Sequence, residues 1–144
     1  MLTSPSLFTR CVVAKSIGFA LGLLGFFVLP MMQADIAPKM QWAMLLWYTT
    51  FGGIIGVIGV FTYHPMLKIN LPWWLTSGVI GAWLNFVLTL FIYDDLVVLM
   101  GALFGEQGWF TSPYWFALEG LMVGVFIGFF AKKYGGIGPE TAGR

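Results

Sequence analysis

The chain has 144 residues, of which 59% are hydrophobic and only 9% are charged, and its formal net charge is +1. A soluble domain carries about a quarter charged residues, so this chain has too few charges to cover a surface that faces water. The charge also argues against nucleic-acid binding, which needs clustered Lys and Arg. With a single cysteine, Cys11, and a single histidine, His64, the chain can form neither an internal disulfide nor a histidine pair for a metal or haem.

Four apolar segments are each long enough to cross a bilayer, which takes about 20 helical residues. They lie at about 12–31, 41–63, 72–93 and 114–133. Pro30 is expected to end the first and His64–Pro65 the second, because the residue before a proline avoids the helical region. The first segment is placed like a signal peptide, but the sequence near Met32 lacks the small residue that cleavage requires, so we interpret it as an uncleaved span.

The sequence therefore predicts an all-α integral membrane protein. We expect residues 1–144 to form a single membrane domain, a four-transmembrane-helix bundle built from two helical hairpins. The positions of aromatic residues agree with the predicted starts of the second and third spans. Trp42, Trp47 and Tyr48 open the second span, and Trp73 and Trp74 open the third, as expected for amphipathic rings that form a belt at the headgroup level.

The stretch at about 95–104 is apolar but too short to cross a bilayer. Its apolar residues keep helical spacing, and Asp94 and Asp95 before it are good N-caps. We expect a short amphipathic helix that lies at the outer membrane surface, in the loop between spans three and four. The tail at 134–144 is rich in glycine and is expected to be flexible.

The distribution of basic residues predicts the orientation. If the N-terminus is cytoplasmic, Lys39 is the only basic residue that lies outside. The basic residues that then lie inside are Arg10, Lys15, Lys68, Lys132, Lys133 and Arg144. An excess of Lys and Arg on the cytoplasmic side is the rule for multi-pass proteins. We therefore expect both termini in the cytoplasm and the protein in a bacterial-type inner membrane.

Small residues recur on one face of every span. The glycines predicted to pack helices together are Gly18, Gly22, Gly25, Gly52, Gly56, Gly78, Gly120, Gly124 and Gly128. Since lipid is as apolar as a leucine side chain, helices in a bilayer associate through the close backbone approach that glycine permits. The stripes predict tight packing within the chain or, for the fourth span, against another subunit.

The two halves are weakly similar. Gly52 and Gly56 in the second span match Gly120 and Gly124 in the fourth at a constant offset, and Gly18 in the first span aligns with Gly78 in the third at a slightly smaller one. A duplicated helical hairpin explains the match, and so does chance alignment of glycine-rich spans.

Glu119 is the strongest candidate for a functional side chain. A carboxylate inside a span is costly unless it is paired, protonated or near water. Asn85, with Thr89 one turn away, lies at a similar depth in the third span, so we expect an intramembrane polar site made by Glu119, Asn85 and Thr89. The alternative is that these groups only hold the helices together.

The outer acids Asp94, Asp95 and Glu106 offer a possible cation site, although helix capping and a solvated turn explain them better. His64 fits a helix-end residue better than a ligand. The sequence has no GxSxG, HExxH, Walker or GxGxxG pattern, so we predict no catalytic residues and no enzyme activity.

The predicted function is that of a small polytopic membrane protein without catalytic activity, a subunit or accessory and assembly factor of a membrane complex. The alternative is a small channel or transporter for an ion or small solute that uses Glu119 and Asn85. We expect no metal and no cofactor, while the aromatic surface leaves room for a bound lipid, quinone or pigment. The expected partners are the bilayer and other membrane subunits or a second copy, and not nucleic acid.

Overall fold

The computed structural model describes residues 5–32 and 36–143, and this part of the chain is 76% helical. Arg144, one of the basic residues used above to predict the orientation, lies outside the described residues. The helices are α1 Leu7–Met32, α2 Pro38–Ile58, α3 Trp73–Phe91, α4 Tyr93–Phe104, α5 Trp115–Gly135 and α6 Pro139–Ala142. Two short strands, β1 Tyr63–His64 and β2 Ile69–Asn70, pair antiparallel. Helices α1, α2, α3 and α5 are long and apolar enough to span a membrane.

Helices α1 and α2 form one close antiparallel pair. A Cβ added at Gly18 would collide with the carbonyl of Tyr48, and one added at Gly22 would lie 2.9 Å from the Cα of Leu45. Gly52 in turn faces the carbonyl of Ala14. The glycines therefore set the distance between the two backbones, as the sequence predicts.

Helices α3 and α5 form a second pair of the same kind. Gly81 and Gly120 face each other's carbonyls, and Gly124 faces the carbonyl of Ser77. The stripe on α5 is thus used inside the chain, which contradicts the alternative that it faces another subunit. Gly25 also departs from the prediction, since a Cβ there would approach only the side chain of Leu29, at 4.0 Å.

The contacts suggest a different register for the internal repeat. Gly18 faces the Tyr48 carbonyl as Gly81 faces the Gly120 carbonyl, and Gly52 faces the Ala14 carbonyl as Gly124 faces the Ser77 carbonyl. Gly81 is therefore the structural counterpart of Gly18, and Gly124 is that of Gly52. The sequence match places α3 and α5 each about one helical turn out of register, because it pairs Gly18 with Gly78 and Gly52 with Gly120.

The two pairs meet mainly where α5 packs on α1. A buried cluster between them contains Ala14, Phe51, Ile55, Ile127 and Ala131. We call the end of the helices near Arg10 and Gly135 the terminal end, and the end near α4 the loop end.

At the loop end, α4 covers the neighbouring helices. Leu96 and Leu99 of α4 are buried against Met44 of α2 and Phe116 of α5. The structure confirms a helix in this loop, and one face of this helix packs onto the other helices. Its first helical residue is Tyr93, so Asp94 and Asp95 lie in the first turn and are not N-caps. There they still face the positive end of the helix dipole.

Pro30 does not end α1, which continues to Met32. A proline inside a helix leaves the carbonyl four residues earlier without its N–H partner. Here that carbonyl belongs to Phe26, and it accepts a hydrogen bond from Gln41 Nε2 at 2.8 Å. A side chain from α2 thus replaces the missing donor.

Helix α2 ends at Ile58, before the predicted boundary at residue 63. The carbonyl of Gly56 accepts from Arg10 Nε at 2.9 Å, and the Val60 N–H bonds to Val57 in a tighter turn. His64 consequently lies in β1, where its Nδ1 accepts from the Leu67 N–H at 3.2 Å. It is not a helix-end residue.

The described segment after α5 folds back and packs against the rest of the chain, where the sequence predicts a flexible tail. The Gly136 carbonyl accepts from Arg10 Nη1 at 2.6 Å, and the Gly138 N–H donates to the Val60 carbonyl at 3.0 Å. Thr141 in α6 is buried. The glycines allow the turns that bring this segment back, since Gly136 and Gly138 both have positive φ.

Candidate functional site

Glu119 lies in the second turn of α5 and is half-buried. Its Oε1 accepts a hydrogen bond from the Tyr48 hydroxyl at 2.7 Å, and its Oε2 accepts from Asn85 Nδ2 at 2.6 Å. The donors come from α2 and α3, so three of the long helices meet at this carboxylate. The structure places Glu119 beside Asn85, as the sequence predicts.

Asn85 is fully buried, and the surrounding chain uses both ends of its amide. Besides Glu119, its Nδ2 donates to the Phe116 carbonyl at 3.1 Å, and its Oδ1 accepts from Trp47 Nε1 at 3.0 Å. A buried amide with both functional groups satisfied is fixed in orientation, so it presents its N–H groups to Glu119 without rearrangement.

Trp47 and Tyr48 were missed by the sequence interpretation, which assigned them to an aromatic belt. Their polar atoms point inward, to Asn85 and Glu119. The signal that identifies them is the polar tip itself, because a buried indole N–H or phenol hydroxyl needs a partner. Thr89 is buried but donates to the backbone carbonyl of Asn85 at 2.7 Å, so it supports α3 and is not shown bonding to Glu119.

An apolar groove of about 420 Å³ opens beside this carboxylate. Tyr48 and Glu119 lie on its wall, and α4 contributes Leu96, Leu99 and Leu103. Aromatic residues also line it, with Phe110 and Trp115 rings whose centroids are 5.1 Å apart. An acidic group that is fixed by neutral donors and borders an apolar space can bind a cation or a hydrogen-bond donor that also carries apolar surface.

A second buried polar group lies at the terminal end. Arg10 has no exposed surface, and it donates to the carbonyls of Gly56 and Gly136 near the ends of α2 and α5. Its Nη2 and the hydroxyl of Ser77 are buried and have no hydrogen-bond partner among the described residues. From sequence, Arg10 appears only as a charge that sets orientation. Its contacts indicate that it connects the ends of two helices, whose last carbonyls carry partial negative charge.

The outer acids do not form the cation site considered from sequence. Among the residues that the structure describes, no three His, Cys, Asp or Glu side chains come together in a way that could hold a metal ion. Asp94, Asp95 and Glu106 are exposed. They fit the alternative interpretation, a solvated helix start and turn.

Comparison with known proteins provides no relative from which the role of this site could be inferred. No protein-family model matches the chain, and no significant match is found among curated proteins or solved structures.

Proposed function

We propose that this protein is a four-transmembrane-helix bundle of a bacterial-type inner membrane that acts, without catalytic activity, as a subunit or accessory and assembly factor of a membrane complex. The observation that carries the proposal is the apolar surface on the loops outside the long helices. Trp109, between α4 and α5, is 92% exposed, and Met66, between β1 and β2, is 87% exposed. Lipid tails cover the sides of the spans, but these loops lie beyond them.

Contacts within the loop around Trp109 fix its conformation. The Trp109 carbonyl accepts from the Trp115 indole at 2.9 Å, and Phe104 and Phe110 pack together with ring centroids 5.7 Å apart. A tryptophan presented on an ordered loop loses little conformational freedom when it is buried by a partner. Tryptophan is also among the residues that contribute most to protein–protein interfaces.

Site-specific photo-cross-linking tests this proposal. A photoreactive phenylalanine analogue replaces Trp109 in one variant and Trp83 in a control, because Trp83 is 63% exposed but lies in the middle of α3. We expect a protein adduct at 109 only, and we expect Trp109→Ala to release the partner from the complex extracted in mild detergent. Extraction of the wild type as an isolated chain, with no protein adduct at 109, would contradict a role in a complex.

A small carrier or channel is the second candidate, and one observation favours it. Glu119 and Asn85 meet beside a groove instead of inside a closed core. If Glu119 serves transport, Glu119→Gln in proteoliposomes should abolish solute flux while the thermal midpoint of the protein changes little, because an amide of the same shape can still hydrogen-bond to Tyr48. Flux equal to that of the wild type would exclude this role.

A further inference from the structure

The groove beside Glu119 combines a single acid with an otherwise apolar wall. Its volume of about 420 Å³ falls in the range of sites that hold small molecules, about 300–1,000 Å³. Two leucines that line it, Leu96 and Leu99, belong to the face of α4 that is buried against α2 and α5. The wall is therefore part of the packed fold.

The acid in this groove lacks a cationic partner. Asn85 Nδ2 can only donate, and the Tyr48 hydroxyl donates to the other oxygen, so both carboxylate oxygens act as acceptors. Both donors are neutral, and none of the described residues that line the groove is Lys, Arg or His. A carboxylate held this way in apolar surroundings attracts a positive charge strongly, because little solvent screens it.

Aromatic rings are also among the residues that line the groove. Phe104 and Phe110 have ring centroids 5.7 Å apart, and Phe110 and Trp115 have centroids 5.1 Å apart. Trp115 precedes Glu119 by about one helical turn, which places the two on the same side of α5. The faces of aromatic rings attract weakly hydrated cations, quaternary ammonium groups among them.

We propose that this groove binds a small organic cation, an ammonium group that carries apolar substituents. The ammonium lies against Glu119, and the apolar part lies against α4. A phospholipid amine fits less well, because its phosphate would enter with the ammonium and the lining offers no basic side chain to receive it. This proposal concerns a ligand site and does not depend on the protein partner proposed above.

Binding of benzyltrimethylammonium to the purified full chain tests the proposal. The protein is placed in phosphatidylglycerol nanodiscs, and binding is measured by isothermal titration calorimetry beside neopentylbenzene, the neutral molecule of the same shape. We expect the ammonium to bind and the neutral molecule to bind about tenfold more weakly or not at all. Glu119→Gln keeps the size of the side chain and one acceptor oxygen for Asn85, and its amide N–H can donate to the Tyr48 hydroxyl. Because it removes the charge, it should weaken ammonium binding about tenfold or more.

Two further variants separate the site from general effects. Glu106→Gln removes an exposed acid at the same end of the molecule and should leave binding unchanged. Leu103→Trp keeps Glu119 but fills the groove, so it should abolish binding even where circular dichroism shows a folded protein. Equal affinity for the wild type and Glu119→Gln, or for the charged and neutral molecules, would overturn the proposal. So would loss of binding in phosphatidylcholine nanodiscs, which would identify a lipid headgroup as the occupant.

Discussion

At the scale of single residues, two buried polar groups differ in how far the sequence reveals them. The meeting of Glu119 with Asn85 is predictable, because both lie at similar depth and neither tolerates an apolar environment alone. The role of Tyr48 cannot be predicted in this way, since an amphipathic ring near the start of a span suits a headgroup belt equally well. Its inward direction depends on how α5 is rotated against α2, which no local pattern encodes.

Arg10 is harder still to identify from sequence, because its hydrogen-bond partners are backbone carbonyls of Gly56 and Gly136, far away in the chain. Because every residue has a backbone carbonyl, such a partner cannot be recognised from the residue types in the sequence. The residue that can be recognised in the sequence is a basic group near the start of a span, and the positive-inside rule alone explains it.

We predict that Arg10→Met lowers the free energy of unfolding by about 2–4 kcal/mol, because two carbonyls at helix ends lose a charged donor. Thermal unfolding in detergent, followed by circular dichroism, measures the change. Lys15→Met is the matched control, since Lys15 is a basic residue of the same helix whose side chain is exposed. Equal midpoints for the two variants would show that the contacts of Arg10 contribute nothing to stability.

At the scale of helices, span positions follow from apolar length, but span ends depend on side chains from elsewhere. The prediction that Pro30 ends α1 fails because Gln41 of α2 bonds to the free carbonyl of Phe26. Helix α2 ends early because Arg10 of α1 takes the Gly56 carbonyl. Both contacts join different helices, so the local sequence of either helix could not predict them.

Glycine content likewise shows which helices pack closely but not which glycines make the contact. Gly124 faces the Ser77 carbonyl and lies near the Cα of Gly81, whereas a Cβ at Gly25 would approach only the Leu29 side chain, at 4.0 Å. We therefore predict that Gly124→Leu destabilises the protein by about 3 kcal/mol, because the backbones of α3 and α5 must separate. Gly25→Leu should be neutral or stabilise by up to about 1 kcal/mol, since leucine favours a helix more than glycine does.

Thermal midpoints of the two leucine variants in the same detergent provide the comparison. Both substitutions replace a helical glycine by the same side chain, so a difference between them reports the packing around each position. If Gly25→Leu proves as damaging as Gly124→Leu, then α1 makes a close contact at Gly25 that this structure does not contain.

At the scale of the whole molecule, the two close helix pairs repeat one arrangement. Gly18 and Gly81 face the carbonyls of Tyr48 and Gly120, and Gly52 and Gly124 face those of Ala14 and Ser77, so the second pair reproduces the contacts of the first. The sequence match indicates the repeat but places it out of register by about one turn. Glycines recur every three or four residues along these helices, and therefore a shift from Gly81 to Gly78, or from Gly124 to Gly120, still aligns glycine with glycine.

The orientation of the whole chain is the last prediction. The N-terminal end of α1 and the segment after α5 contact each other, since Arg10 binds the Gly136 carbonyl. Both ends of the described chain thus lie at one end of the helices, and the loop with Gln107 lies at the other. From the positive-inside rule we predict that the terminal end lies in the cytoplasm.

Cysteine labelling in a Cys11→Ala background tests this orientation. Gln107→Cys and Glu140→Cys both place the thiol at an exposed position, one at each end of the helices. We expect a membrane-impermeant maleimide to label Gln107→Cys on intact cells and Glu140→Cys only after permeabilisation. The reverse result would place α4 and its groove in the cytoplasm, and would mean that the lysines near α5's end do not set the orientation.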